Sequence, residues 1–185
     1  SLKTAAKAVE KLKSVDFIGG EYPVIIASGF GAVIFHEACG HGLEATSVAP
    51  KLSIFSDLIG KKIASKKVTL IDDGTIEKVW GSNIIDDEGN STEKTILIDK
   101  GILKNYLIDE FSSIKMNMKP NGCGRRQDYD FAPTSRMSNT YLAPGTDKIE
   151  DMFNSIKLGI FCEKLSGGTV NTSTGDFNFA VDTAY

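Results

Sequence analysis

The segment from His36 to His41 places the strongest constraint on how this chain can fold. It reads His-Glu-Ala-Cys-Gly-His and holds both histidines of the 185-residue sequence. A wholly apolar run, Ala-Val-Ile-Phe at positions 32–35, precedes it. This pattern predicts a helix over residues 32–45 whose first turn is buried. The apolar start would therefore also bury the site that the histidines form.

The residue types of this segment are typical of metallopeptidases. In those enzymes two imidazoles bind a divalent metal, and a neighbouring Glu takes a proton from the attacking water. The common zinc-peptidase pattern has two residues between the acid and the second histidine, whereas three separate Glu37 from His41. Residues advance by about 100° along an α-helix, so positions i and i+5 lie about 140° apart and cannot both face one ion. His36 and His41 can share a face only if a π-bulge adds a residue to the turn, or if the helix loosens at Gly40.

Further ligands can be considered from their positions. A catalytic zinc site has three protein ligands and one open position. Glu44 could be the third ligand, could accept a hydrogen bond from a histidine N–H, or could be a solvated helix acid. Cys39 would lie on another face of the helix, and Cys123 and Cys162 are candidate distal thiolates, although a small buried thiol is the commoner role. The histidine pattern could also be accidental, because short motifs recur by chance.

Composition limits the class of protein. Of the residues, 41% are hydrophobic, which is enough for one domain with its own core, and 18 glycines against 5 prolines fit many turns and a β-rich fold. The net charge is −3 with no evident basic face, so nucleic acid is not expected as a direct partner. No apolar run approaches the roughly 20 residues of a membrane span. The 3 cysteines are an odd number without framework spacing, which favours a reduced, cytoplasmic setting.

Hydrophobic periodicity and turn residues predict an α+β fold rich in strands, with an antiparallel, barrel-like sheet and a few helices, one of which carries the histidines. Besides the histidine helix, helices are predicted over residues 4–15, 109–116 and 147–158, the last capped by Thr146. Strands are predicted over residues 22–27, 68–71, 95–98, 102–107, 136–142, 160–164, 169–171 and 177–182. The last strand should have one buried face, and a turn is predicted at residues 166–168. The polar segment 119–135 is too long for a simple connector and is a candidate functional loop.

Several motifs follow the histidine segment in order. They are Gly-Leu-Glu at 42–44, Asp-Asp-Glu-Gly at 86–89, the hairpin at 98–107, Gly-Arg-Arg at 124–126, Arg-Met-Ser-Asn-Thr at 136–140, and the glycine-rich stretch at 167–179. Together with a His-Glu motif that has three residues before its second histidine, they resemble the C-terminal domain of the TldD/PmbA (TldD/TldE) family of zinc metallopeptidases, on its TldD side. The resemblance covers nearly the whole chain.

This resemblance implies roles for particular residues. His36 and His41 would be the metal ligands, with zinc as the metal, and Glu37 would be the general base. The family's third ligand is a cysteine close to the C-terminus, which by motif order would fall beyond Tyr185. We therefore expect residues 1–185 to be a single metallopeptidase-like domain, truncated at both ends of a longer protein that also has an N-terminal α/β domain. The excised domain is expected to be inactive and to bind metal weakly or not at all.

The resemblance also implies an activity and partners. The family's full-length proteins assemble as dimers, TldD with TldE, and process unfolded or extended peptides in an enclosed cavity. We thus expect metal-dependent peptide hydrolysis, with a TldE/PmbA-type partner or a second copy. Arg125 and Arg126 could hold a substrate carboxylate, or could belong to a solvated loop. The alternative is a non-catalytic regulatory or partner-binding module of a TldD/TldE-type complex, against which the histidines argue. The family's label "modulator of DNA gyrase" gains no support as direct DNA binding from an acidic chain.

Overall fold

The computed structural model describes residues 2–185, and its architecture is α+β and rich in strands, as predicted. The helices are α1 (Leu2–Lys11), α2 (Val33–Phe35), α3 (Ala45–Val48), α4 (Glu110–Met116) and α5 (Ile149–Asn154). The strands are β1 (Val24–Ile26), β2 (Leu70–Asp73), β3 (Lys94–Asp99), β4 (Ile102–Leu103), β5 (Gly124–Arg125), β6 (Thr134–Ser135), β7 (Thr140–Leu142), β8 (Ile160–Val170) and β9 (Phe177–Ala184). Within the described residues, no helix is both long and apolar enough to cross a membrane.

The strands form three open sheets. The largest has the order β4-β3-β2-β7, with every neighbouring pair antiparallel. A second sheet has the order β1-β8-β9, in which β1 runs parallel to β8. Strands β5 and β6 form a small antiparallel pair. The predicted barrel-like sheet is therefore wrong for residues 2–185. A sheet closes into a barrel only if every strand pairs on both sides. Here β4 and β7, with only 2 and 3 residues, lie at the two edges of the sheet, and each pairs with one neighbouring strand.

The hydrophobic core lies between the four-stranded sheet and the segment that follows the histidines. Its largest fully buried apolar side chains are Leu43, Leu70, Leu97, Ile98, Leu103 and Leu107. Two backbone hydrogen bonds attach the histidine side to this core: Leu107 N donates to Leu43 O at 2.9 Å, and Ala45 N donates to Leu107 O at 2.7 Å. By contrast, residues 32–35 are only half-buried, so the prediction of a buried first turn is wrong. Strands β7 and β8 contact α2, and its last residue, Phe35, packs against the edge of the core.

Some predicted boundaries also change. The predicted turn at 166–168 lies inside β8, because the pairing of β8 with β9 shifts register between Leu165 and Gly167 and the extra residue forms a bulge instead. Helix α5 is shorter than predicted, and Lys148 rather than Thr146 stands at its N-cap, without a side-chain cap. The strand predicted over 136–142 shrinks to β7, since Ser138 N donates to the Asp72 carboxylate. Strand β9 forms, but Phe177 is 51% exposed and the predicted buried face is absent there.

Candidate metal centre

The helical path over residues 29–43, which contains the histidine segment, changes its winding three times. It begins as a 3₁₀ turn (Gly29–Ala32), continues as α2, widens to a π-helix (His36–Gly40), and tightens to a 3₁₀ turn (His41–Leu43). The backbone N–H of His41 donates to the carbonyl of His36, five residues earlier, which is the π-type bond. Of the two arrangements that the spacing allows, a π-bulge or a helix loosened at Gly40, the structure has the π-bulge, and it adds the one residue that the spacing requires.

The π turn brings three potential ligands together. The rings of His36 and His41 meet edge to face, with centroids 4.8 Å apart and planes at 83°. Glu37 Oε2 lies 3.7 Å from His41 Nε2. One ligand atom from each of these three residues lies within 4.8 Å of the others. Bonds to zinc are about 2.0–2.2 Å long, which puts ligand atoms about 3–4 Å apart. The spacing of these three residues is therefore compatible with two imidazole ligands and an adjacent carboxylate around one divalent ion.

Gly40 makes room for this turn. It is buried, and a Cβ added there would collide with Met137 Sδ and lie 2.9 Å from Met137 Cε. Met137 is itself buried beside the turn. The sequence indicated that Gly40 would ease the backbone conformation, but it gave no sign that a side chain far along the chain fills the space at this glycine.

Glu44 follows the histidine segment and turns back towards it. Its backbone is extended (φ −70°, ψ 131°), and its Oε2 lies 3.2 Å from His41 Nδ1. The residue is 4% exposed, and within the described chain its Oε1 is buried without a hydrogen-bond partner. Arg136 Nη1 lies 3.6 Å from Oε2. Sequence reasoning identified Glu44 as a candidate, but no local signal connects Arg136 with it.

The two histidines have opposite electrostatic surroundings. The hydrogen bond with Glu44 raises the pKa of His41, and this contact outweighs its partial burial. Burial, followed by the nearby charge of His41, lowers the pKa of His36. A metal binds the neutral form of imidazole. His36 is therefore the more readily available ligand, while Glu44 stabilises additional positive charge on His41.

The three cysteines remain apart from this group. Cys39, Cys123 and Cys162 are all free, and burial raises the pKa of each thiol, which disfavours the thiolate that binds a metal. Among the described residues, no cysteine joins the cluster of His36, Glu37 and His41. The third ligand expected beyond Tyr185 stays a prediction.

The two candidate substrate-binding arginines lie at β5 and just after it. Arg125 Nη1 donates to Met137 O at 3.2 Å, and Arg126 Nη1 donates to Phe131 O at 3.1 Å. Each guanidinium thus uses one N–H within the fold. Neither forms a hydrogen bond or ion pair with the candidate ligands in residues 2–185, so a role in binding substrate also stays a prediction.

Comparison with known sequences adds independent information. The family model described as the PmbA/TldA metallopeptidase C-terminal domain matches residues 19–185. A metalloprotease TldD homologue of Buchnera aphidicola is 44% identical over 178 residues, covering 96% of this chain and 37% of the relative. A metalloprotease of Methanocaldococcus jannaschii is 38% identical over 185 residues, covering 100% of this chain and 41% of the relative. A zinc metalloprotease TldD homologue of Saccharolobus solfataricus is 32% identical over 180 residues, covering 97% of this chain and 40% of the relative. The chain thus spans about two fifths of the length of these curated relatives.

Solved structures share the fold. TldE from Thermococcus kodakarensis matches with a TM-score of 0.76 at 24% identity, covering 89% of this chain and 37% of that one. A candidate modulator of DNA gyrase from Bacteroides thetaiotaomicron also matches with a TM-score of 0.76, at 25% identity, covering 97% of this chain and 38% of that one. The family match, together with the relatives at 44% and 38% identity, shows that the chain belongs to the PmbA/TldD family and contains its metallopeptidase C-terminal domain.

Proposed function

We propose that this chain is the catalytic domain of a zinc-dependent peptidase that hydrolyses unfolded or extended peptides. The observation that carries the proposal is the π turn, which places His36, Glu37 and His41 around one point. Relatives named as metalloproteases, one of them as a zinc metalloprotease, support it.

Each residue of the site has a distinct proposed role. His36 and His41 hold the zinc, and a cysteine beyond Tyr185 supplies the third ligand. Bound zinc would polarise the scissile carbonyl and acidify the attacking water. Glu37 takes the proton from that water and delivers it to the leaving amine. Its Oε2 lies 3.7 Å from His41 Nε2, so the carboxylate is beside the nitrogen that would bind the metal.

An extended peptide can be bound largely independently of its amino-acid sequence. In the proposed function, a substrate adds as a strand to an exposed sheet edge, where backbone hydrogen bonds supply the binding energy. Strand β9, with 8 residues at the edge of its sheet, offers such an edge in the described chain. We propose that the remaining N–H groups of Arg125 and Arg126 hold a substrate carboxylate.

The cellular setting follows from the same hypothesis. We propose assembly with a TldE/PmbA-type protein or with a second copy, since the fold matches that of a TldE. A cytoplasmic location suits the three free thiols. Neither a nucleic acid nor a membrane is a proposed direct partner. The net charge of −3 disfavours direct binding of nucleic acid.

The test is Glu37→Gln in the protein expressed from its complete gene, together with its partner. We expect peptide cleavage to fall by about 100- to 10,000-fold, the usual contribution of a general base, while the zinc content stays unchanged. Glu93→Gln is the matched control, because this acid pairs only loosely with Lys119, at 3.9 Å, and should leave cleavage intact. Cleavage by Glu37→Gln at the wild-type rate with zinc retained would refute the mechanism. A non-catalytic module would instead show neither cleavage nor stoichiometric zinc in the wild-type protein.

A further inference from the structure

We propose that Glu44 is a positioning residue, which fixes the ring of His41 so that its Nε2 is presented to the metal. The inference rests on the proposed function, because it assumes that His41 is a ligand. It assigns Glu44 the role of hydrogen-bond acceptor rather than third ligand.

The contacts of the His41 ring carry this assignment. Nδ1 lies 3.2 Å from Glu44 Oε2, whereas Nε2 lies 3.7 Å from Glu37 Oε2. The two nitrogens of an imidazole lie on different sides of the ring, so Glu44 and Glu37 contact different sides. A carboxylate can only accept, so this contact places the proton on Nδ1 and leaves the Nε2 lone pair for a metal. Glu44 therefore lies outside the group that His36, Glu37 and His41 form.

The core fixes the position of the Glu44 carboxylate. The residue is 4% exposed, and its extended backbone separates the 3₁₀ turn of the histidines from α3. Both of its chain neighbours, Leu43 and Ala45, form backbone hydrogen bonds with Leu107 in the core. Glu44 thus acts as a rigid support for the ring, because its main chain cannot shift without breaking these contacts.

The incomplete pairing of Glu44 indicates why a carboxylate stands there. Its Oε1 is buried and has no hydrogen-bond partner in the described chain. The carboxylate therefore does not serve to complete a hydrogen-bond network within the fold. Its contacts are both made through Oε2: the one with His41, and one with Arg136 Nη1 at 3.6 Å. The backbone of Arg136 is anchored by a hydrogen bond from its N–H to Cys123 O at 2.9 Å. Arg136 therefore provides a positive charge beside a buried acid whose other contact is the histidine.

The experiment measures zinc affinity, by competition with a chromophoric chelator, in the protein expressed from its complete gene. Glu44→Ala should bind zinc about 10- to 100-fold more weakly, the usual cost of losing such a partner of a ligating histidine. Glu44→Gln keeps an acceptor oxygen of nearly the same size and position, and it should restore most of the affinity. As a control, Glu88→Ala removes a carboxylate that accepts from Glu110 N at 2.8 Å, and it should leave zinc affinity unchanged.

A second measurement does not depend on bound metal. Long-range ¹⁵N NMR of the metal-free protein, labelled at histidine and assigned with His41→Gln, reports which nitrogen of His41 carries the proton. We expect the Nδ1–H form in the wild type and in Glu44→Gln, and a mixture in folded Glu44→Ala.

The possible results separate the two hypotheses. Equal zinc affinity in wild type and Glu44→Ala, or an unchanged tautomer, would overturn the positioning role even if Glu37→Gln abolishes cleavage. Loss of affinity in Glu44→Gln as large as in Glu44→Ala would also overturn it. Wild-type cleavage by Glu37→Gln would refute the peptidase mechanism, while the affinity series would still decide the role of Glu44.

Discussion

The side chain of Asp109 connects the start of α4 to strand β6, and this strand ends directly before Arg136. Asp109 is 2% exposed. Oδ1 accepts from Ser112 N at 2.8 Å, and Oδ2 accepts from Ser112 Oγ at 2.8 Å and from Ser135 N at 3.1 Å, as well as from the Ser135 hydroxyl. Asp109→Ala removes all of these acceptors at once, and it should destabilise the fold without touching the candidate ligands.

The contacts of Asp109 give the size of the expected effect. Loss of the helix N-cap costs about 1 kcal/mol. The buried N–H of Ser135 would lose its acceptor, and an unsatisfied buried donor costs about 1–3 kcal/mol. These two contributions set the estimate, and the buried hydroxyls of Ser112 and Ser135, which lose the same acceptor, can only add to it. The free energy of unfolding should therefore fall by about 2–4 kcal/mol.

Urea unfolding followed by far-UV circular dichroism measures this change. Asp109→Asn keeps an acceptor oxygen for the cap and should lose less. Asp87→Ala is a further control, because the exposed Asp87 carboxylate accepts from Arg126 N at the surface, and its loss should change stability by less than about 1 kcal/mol. A loss below about 1 kcal/mol in Asp109→Ala would refute the account of these bonds as supports of the fold.

The same carboxylate predicts a dependence on pH. Burial raises the pKa of Asp109, but the hydrogen bonds from Ser135 and Ser112 together outweigh burial and leave the pKa below its ordinary value. The folded state then binds the proton less readily than the unfolded chain. This contribution to stability is fully present above the unfolded pKa of about 3.9 and is lost as the pH falls through the folded value. The difference in stability between wild type and Asp109→Ala should thus shrink below about pH 4.

Two further predictions concern the metal centre. Gly40→Ala should destabilise the protein by about 1–3 kcal/mol in thermal unfolding, because the new methyl group collides with the Met137 side chain. The double variant Gly40→Ala/Met137→Ala should recover part of this loss. Equal melting temperatures of wild type and Gly40→Ala would contradict this packing. Residues 1–185 expressed alone should contain less than one zinc per chain by elemental analysis, because His36 and His41 supply only two of the three proposed ligands and none of the described cysteines joins them. Full, tightly bound zinc would show that the third ligand lies within these residues.

The parts of the site that could be predicted depend on short-range geometry. The mismatch between a spacing of five residues and an α-helical turn was enough to predict a departure from the regular helix between His36 and His41, either a π-bulge or a loosened turn at Gly40, and the structure has the π-bulge. The helix predicted over residues 109–116 begins one residue later, at Glu110, and the structure shows Asp109 as its N-cap, which is a local interaction. In both cases the deciding interactions lie within one turn of the chain.

The parts that could not be predicted depend on contacts between distant residues. Met137 beside Gly40 and Arg136 beside Glu44 are brought there by the fold, and neither residue carries a pattern of its own. The two glycines at 167–168 have the composition of a turn, but β9 pairs with β8 on both sides of them and turns them into part of a bulged strand. Local preference is overruled where a long neighbouring strand supplies the hydrogen bonds.

The extra residue between Glu37 and His41 satisfies two demands at once. Removing it would give the common zinc-peptidase spacing on a regular helix, but it would also rotate every later residue by about 100° relative to the preceding turn. Leu43, which is 0% exposed, is attached to Leu107 in the core, and Glu44 reaches His41 from the next position. The core thus fixes the register after the histidines. The π turn lets both imidazoles share one face while Leu43 stays in the core and Glu44 stays beside the ring, so the longer spacing is a requirement of this packing.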